Sequence, residues 1–246
     1  MIEIKINRNN QHFKAYPETT DVFFQDVEKH RKFLFPLAQL DLSSISENLQ
    51  GILPLVSPIE PYDGTLGYKK NEFYNDHCRE NWIGYKIQDG KCKLLCDFQI
   101  FELEAFNLKT VKSAKEIKYF EVLQQFYQQA YKGYQILKEE YKQQGVLYCP
   151  YSSQKREERL FERKLGGNDE WYNWAQCEMP FHYEPYIDEE GEESNCVYPL
   201  IKGKKFEYIG SAFIRNFFKR QNGWNCIGEM IVFYEPTEQI MLTTFE

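Results

Sequence analysis

Residues 113–145, SAKEIKYFEVLQQFYQQAYKGYQILKEEYKQQG, decide the fold class. Ser113 and Glu116 have the spacing of a capping box, in which hydroxyl and carboxylate satisfy free backbone N–H groups reciprocally. Phe120, Leu123, Tyr127, Ala130, Tyr134, Leu137 and Tyr141 then recur at alternating three- and four-residue steps, which places them along one helical stripe. Gly145 predicts the stop. At ~1.5 Å per residue the helix is about 40 Å long. A strict seam also serves coiled-coil dimers, but this one is mostly Tyr and Phe, not Leu and Ile. A wide aromatic stripe fits a central helix packed on sheet.

Upstream, Ile83, Tyr85 and Ile87 alternate with Gly84, Lys86 and Gln88. Asp89-Gly90 supplies a turn that tolerates positive φ, and Cys92, Leu94, Cys96, Phe98 and Ile100 alternate again. The pattern predicts a hairpin whose second strand runs to Ile100. Residues 33–42, FLFPLAQLDL, read as a buried strand, with Ser43 and Ser44 opening a turn. Met1-Ile2-Glu3-Ile4-Lys5-Ile6 alternates like a strand, residues 18–32 are polar, and residues 51–67, with three prolines and three glycines, predict an irregular connection.

Downstream, residues 154–164 predict a short charged helix anchored by Leu160 and Phe161, ended by Gly166-Gly167. Residues 184–193 predict an acidic loop, and residues 227–234 and 240–245 a terminal hairpin. Together these elements predict an α+β fold of mixed or antiparallel sheets with one long central helix. It is expected as one 246-residue domain of two closely packed lobes, 1–145 and 146–246.

The chain carries 37 acidic and 30 basic side chains, a net charge of −7. That balance opposes the concentrated positive face a nucleic-acid partner needs. No segment approaches the ~18 uninterrupted apolar residues of a membrane span, and the start lacks a signal peptide. The seven cysteines therefore read as reduced thiols of a cytoplasmic protein. Eighteen Tyr and 19 Phe supply either a Tyr-edged core or a stacking surface, and partial burial is the simpler reading.

Little in the sequence points to chemistry. Cys92 and Cys96, four apart on a strand, are about 13 Å apart, too far for one zinc or a mutual disulfide. Both read as small core residues. His77 and Cys78 are adjacent on an extended segment and point to opposite faces. Cys177 and His182 can meet across a turn at Pro180 and are the catalytic candidates, though no flanking signature marks a nucleophile. His12 and His30 sit in polar surroundings with no obvious role. Glu184, Asp188, Glu189, Glu190, Glu192 and Glu193 lack the spacing of a calcium loop and read as solvated. No phosphate-cradling glycine motif or serine elbow is present, and no cofactor or metal is expected.

Lys164-Leu165-Gly166-Gly167, Trp171, Gln176 and Pro180 resemble the LGG…W…Q…P signature of the YwqG-like family of bacterial proteins. Residues 206–212, 228–234 and 36–42 are similar to three further strand elements of that family. Asn168-Asp169-Glu170 stands where the family usually places a Pro. The resemblance implies a sheet-rich α+β architecture with two related lobes and an incompletely defined function, some relatives resembling toxin-immunity proteins.

The expected function is a cytoplasmic protein-binding module without catalysis, of the immunity-inhibitor type, that meets a partner with a basic surface. Its contact residues are expected to be Trp171, Tyr172, Trp174 and Tyr186, with Glu184, Asp188, Glu189 and Glu190. The alternative is an enzyme or small-ligand-binding protein with its site in the cleft between the lobes.

Overall fold

A computed structural model describes residues 4–60, 66–106, 113–148, 157–163, 179–187, 191–217 and 228–245. In chain order its elements are β1 (Ile4–Ile6), β2 (Phe13–Ala15), α1 (Thr19–Val22), α2 (Val27–Phe33), β3 (Leu34–Asp41) and β4 (Ile52–Pro58). Then come β5 (Cys78–Arg79), β6 (Trp82–Gln88), β7 (Lys91–Leu94), α3 (Glu102–Ala105) and α4 (Ala114–Gln144). The last are β8 (Phe161–Arg163), β9 (Phe181–Ile187), β10 (Glu193–Ile201), β11 (Lys204–Lys205), β12 (Glu207–Ala212), β13 (Met230–Glu235) and β14 (Ile240–Phe245). No helix among the described residues is long and apolar enough to cross a membrane.

The fold is α+β. Its largest sheet has eight strands in the order β1-β8-β12-β13-β14-β6-β5, with β7 also on β6; two three-stranded sheets run β2-β3-β4 and β11-β10-β9. Every ladder between these strands is antiparallel. The large sheet takes β1, β5, β6 and β7 from before Gly145 and β8, β12, β13 and β14 from after it.

The long helix follows the sequence closely. Ser113 Oγ accepts from Glu116 N (3.2 Å) and Glu116 Oε2 accepts from Ser113 N (3.0 Å), closing the capping box. All seven stripe residues are buried. Gly145, at φ 68°, ends the helix in the left-handed conformation that costs a glycine no Cβ clash. At ~1.5 Å per residue its 31 residues span about 46 Å. The β6–β7 turn also forms as expected, with Asp89 at φ 50° and Gly90 at φ 73°, the pair of positive values that matches strand twist.

Several local expectations need correction. The second hairpin strand stops at Leu94, because Asp97 Oδ1 accepts from Gln99 N (2.8 Å) and turns Phe98–Ile100 into a 3-10 turn. Residues 161–163, expected within a charged helix, form β8, paired to β1 and β12; tertiary ladder bonds outweigh local helix propensity there. Residues 52–58 are strand, not irregular: β4 is an edge, where the missing N–H of a proline costs no ladder bond. Pro36, in the central β3, sits at a bulge between Pro36 and Ala38. The polar stretch 18–32 holds α1 and most of α2.

His30 is not in polar surroundings. It is 1% exposed, stacked on Phe23 at 4.5 Å, and accepts from Leu94 N at Nε2 (2.9 Å). Nδ1 therefore carries the proton and donates to the Asp26 carbonyl (3.0 Å). Burial holds its pKa below the ordinary value. It is a core tie between α2 and β7.

The cysteine reading also changes. Cys78 and Cys96 form a disulfide with Cα atoms 5.6 Å apart. The end of β7 at Leu94 frees Cys96 from the strand and lets it reach the short strand β5. Cys92 is free and fully buried, as expected of a small core residue, and Cys196 is free and half-buried. Cys149, Cys177 and Cys226 lie outside the described residues.

Closing a loop of separation 18 restrains the unfolded chain by about 3 kcal/mol on the loop-entropy scale. Reduction is expected to lower the denaturant midpoint of the wild type and to leave a Cys78→Ser/Cys96→Ser variant unchanged. Urea melts with and without a phosphine reductant measure this.

Candidate functional site

Of the residues singled out for binding or catalysis, His182, Glu184 and Tyr186 lie on β9. Trp171, Tyr172, Trp174, Cys177, Asp188, Glu189 and Glu190 lie outside the described residues. Glu184 is not in a loop: β9 and β10 pair from Phe181↔Pro199 to Ile187↔Glu193.

The register sorts β9 into two faces, because successive strand residues point to opposite sides. On one face His182 lies opposite Tyr198, Glu184 opposite Cys196 and Tyr186 opposite Ser194. Lys205 binds this face together. Its Nζ is 2.9 Å from Glu184 Oε1 and 3.2 Å from Glu207 Oε1, and it sits 4.5 Å over the Tyr198 ring. His182 Nε2 is 3.4 Å from Glu184 Oε1. The Lys205 hydrogen bond holds the Glu184 carboxyl below its usual pKa, while burial pushes the Cys196 thiol up. A nucleophilic cysteine needs the opposite shift. Cys196 is the thiol the structure brings diagonally across from His182. Residue pattern did not single it out, since the pairing follows only once the β9–β10 register is known.

The other face is apolar along β9, and on β10 it is apolar at Val197 and Pro199 but carries Asn195 and Glu193 opposite Pro185 and Ile187. On β10 the apolar part is covered: Val197 and Ile201 are buried in one cluster with Trp82, Phe206 and Phe233 of the large-sheet side. Phe181, at the start of β9, still reaches this cluster, with its ring 6.0 Å from that of Trp82. Farther along β9 the cover ends. Tyr183 is 52% exposed and Ile187 62%. No residue of this seven-residue strand is buried.

β9 is also the edge of its sheet. Leu200 N donates to Pro180 O (2.8 Å), so even-numbered residues of β10 make the ladder bonds to β9. In an antiparallel pair the alternate residues point their backbone groups away. Pro185, opposite Asn195, therefore turns its missing N–H outward and removes the middle donor of the free edge. Strand addition there is interrupted, whereas side-chain docking on the Tyr183–Ile187 face is not.

Other titratable groups have structural partners. His12 Nδ1 is 3.0 Å from Asp41 Oδ2, and Asp41 Oδ1 accepts from Ser43 N (3.0 Å) and Ser43 Oγ (2.7 Å). These bonds cap the 3-10 turn Leu42–Ser44 and hold the Asp41 carboxyl low. Glu60, 2% exposed, accepts from Glu102 N (2.9 Å), Leu103 N (3.2 Å) and Tyr127 Oη (2.7 Å). It seats the start of α3 against α4, and burial pushes its pKa up to about 7. Among the described residues no group of three His, Cys, Asp or Glu is placed to hold a metal ion. Compared with known proteins, the chain matches no family model, no curated protein and no solved structure.

Glu60 sets a testable pH dependence. Its folded pKa lies above the ordinary 4.5, so between these values the folded protein holds a proton the unfolded chain has lost. Its contribution is complete below pH 4.5 and is lost as pH rises through about 7, with a slope of up to about 1.4 kcal/mol per pH unit. Chemical denaturation of wild type and Glu60→Gln across this window is expected to show the stability of the wild type relative to the variant falling with this slope as pH rises, while the titration of His30 is common to both.

Proposed function

We propose that this protein is a binding module that docks a protein partner on the overhanging face of β9. The observation that carries this reading is a seven-residue strand, FHYEPYI, that buries none of its residues. Its apolar face continues a covered core face and then runs out into water at Tyr183 and Ile187. Exposed apolar surface of this kind at a sheet edge is where partners dock. Tyr anchors supply large contact area at low entropic cost.

The partner's chemistry follows from charge. Residues 184–193, EPYIDEEGEE, hold six carboxylates and no basic side chain. A basic surface steered toward β9 meets this run, which favours fast encounter and discrimination against acidic proteins. Trp171, Tyr172 and Trp174 precede β9 in sequence and are proposed as further anchors. The similarity to YwqG-like proteins motivates the narrower proposal of an immunity-type inhibitor. One feature, a groove beside α4, favours a small-ligand role in addition.

The test is capture of a stoichiometric partner by the tagged chain from lysate of its own organism, with wild type and a Tyr183→Asp/Ile187→Asp variant side by side. Both positions are exposed, so thermal unfolding is expected to stay within a few degrees of wild type. Binding is expected to fall at least tenfold, the effect of losing a residue worth more than ~1.4 kcal/mol, and to weaken with salt. A variant that captures the same partner as well as wild type overturns the assignment of this face.

A further inference from the structure

Between α4 and the α1–α2 segment a groove of about 350 Å³ opens over β3. That size is at the lower end of the ~300–1,000 Å³ typical of small-molecule sites. Phe35 and Tyr134 line it as parallel rings with centroids 4.5 Å apart, and the less buried Tyr131 flanks them. Three cations, Arg31, Lys138 and Lys142, line the groove against two carboxylates, Glu18 and Glu28. Lys142 is held 2.9 Å from Glu139, so each of the three cations has a carboxylate partner, and the distinction of the site lies in Lys138.

Lys138 is the unusual member. Its side chain is 6% exposed, yet the carboxylate 2.9 Å from its ammonium belongs to Glu18, whose side chain is 63% exposed. A buried ammonium requires an anion beside it. Glu18 reaches Lys138 from the solvent side, so an incoming anion can take its place while keeping the buried ammonium paired. Arg31 extends the cationic wall. Its Nη2 donates to the Tyr131 hydroxyl (3.2 Å) and its Nη1 is 3.6 Å from Glu28, so its planar fork is held beside the accessible ring.

We infer that this groove binds a small aromatic phosphate monoester, whose anion replaces Glu18 at Lys138 and whose planar body rests against Tyr131. A phosphate dianion uses several cations at once, with Arg31 supplying forked donors and Lys138 a point charge. The polar lining also distinguishes the site from one made for a fatty chain. The inference is independent of the β9 docking face, which lies on a different sheet.

Isothermal titration of the full chain with phenyl phosphate tests it, with benzoate as the singly charged control. Phenyl phosphate is expected to bind with Kd below about 1 mM, and benzoate at least ~10-fold more weakly. Lys138→Met, which keeps an unbranched side chain in the buried position, is expected to weaken phenyl phosphate binding at least ~10-fold. Arg31→Met, at a half-exposed position, is expected to weaken it in the same direction and serves if the first variant does not fold. Glu18→Gln removes the competing anion and is expected to strengthen binding by up to about fivefold. Absence of binding, equal affinity for benzoate, or indifference to loss of the cations overturns the inference.

Discussion

Tyr127, Tyr134 and Tyr141 stand seven residues apart on α4, and each hydroxyl reaches a different part of the chain. Tyr127 donates to Glu60 Oε1 beyond the end of β4 (2.7 Å), Tyr134 to the Pro36 carbonyl of β3 (2.6 Å), and Tyr141 to Asn9 Oδ1 after β1 (3.1 Å). The Tyr141 oxygen also accepts from Asn9 N (2.8 Å). All three rings are buried, so the polar tips have to be satisfied inside the protein. This requirement orients α4: a rotation that kept the stripe apolar would strand the hydroxyls. Leu123, Ala130 and Leu137 fill the intervening steps of the same stripe, adding area while the tyrosines fix register.

The constraint extends beyond the helix. Tyr16 packs its ring against Tyr134 (5.6 Å), Tyr141 (5.4 Å) and Phe217 (5.2 Å), and its hydroxyl donates to the Asn216 carbonyl (2.6 Å). Asn216 Nδ2 in turn donates to the Arg159 carbonyl next to β8. Thus α4, the β2-β3-β4 sheet and the β8–β12 side of the large sheet share one aromatic joint. The abundance of Tyr in the composition is explained by this core of amphipathic rings with bonded tips. The groove lined by Arg31 and Lys138 lies along the flank of the same helix, so its walls inherit the register that the tyrosines impose.

What was legible in the sequence was local and periodic. The capping box, the seven-residue stripe and the Gly145 stop of α4 need no information from outside 113–145. The Asp89-Gly90 turn and the closing β13–β14 hairpin are equally self-contained. What could not be read depends on partners distant in the chain. Residues 161–163 look helical until β1 and β12 offer them a ladder. Cys96 looks like a strand residue until Asp97 ends the strand and Cys78 is brought to it from 18 residues away. His30 is polar by type and core by position. At the candidate site, Tyr186 and Glu184 were found by composition. The pairing of Glu184 with Lys205, the exposure of Tyr183 and Ile187, and the place of Cys196 follow from the β9–β10 register and from where the covering sheet ends.

The seating of α4 on the sheet rests on the buried tyrosine hydroxyls, and Tyr134→Phe tests this most directly. The substitution preserves the ring stacked on Phe35 and removes only the bond to the Pro36 carbonyl. Equilibrium urea unfolding is predicted to show a loss of about 1–3 kcal/mol, the cost of leaving a buried acceptor without its donor. A stability equal to or above wild type would contradict the claim that these hydroxyls fix α4 on the sheet.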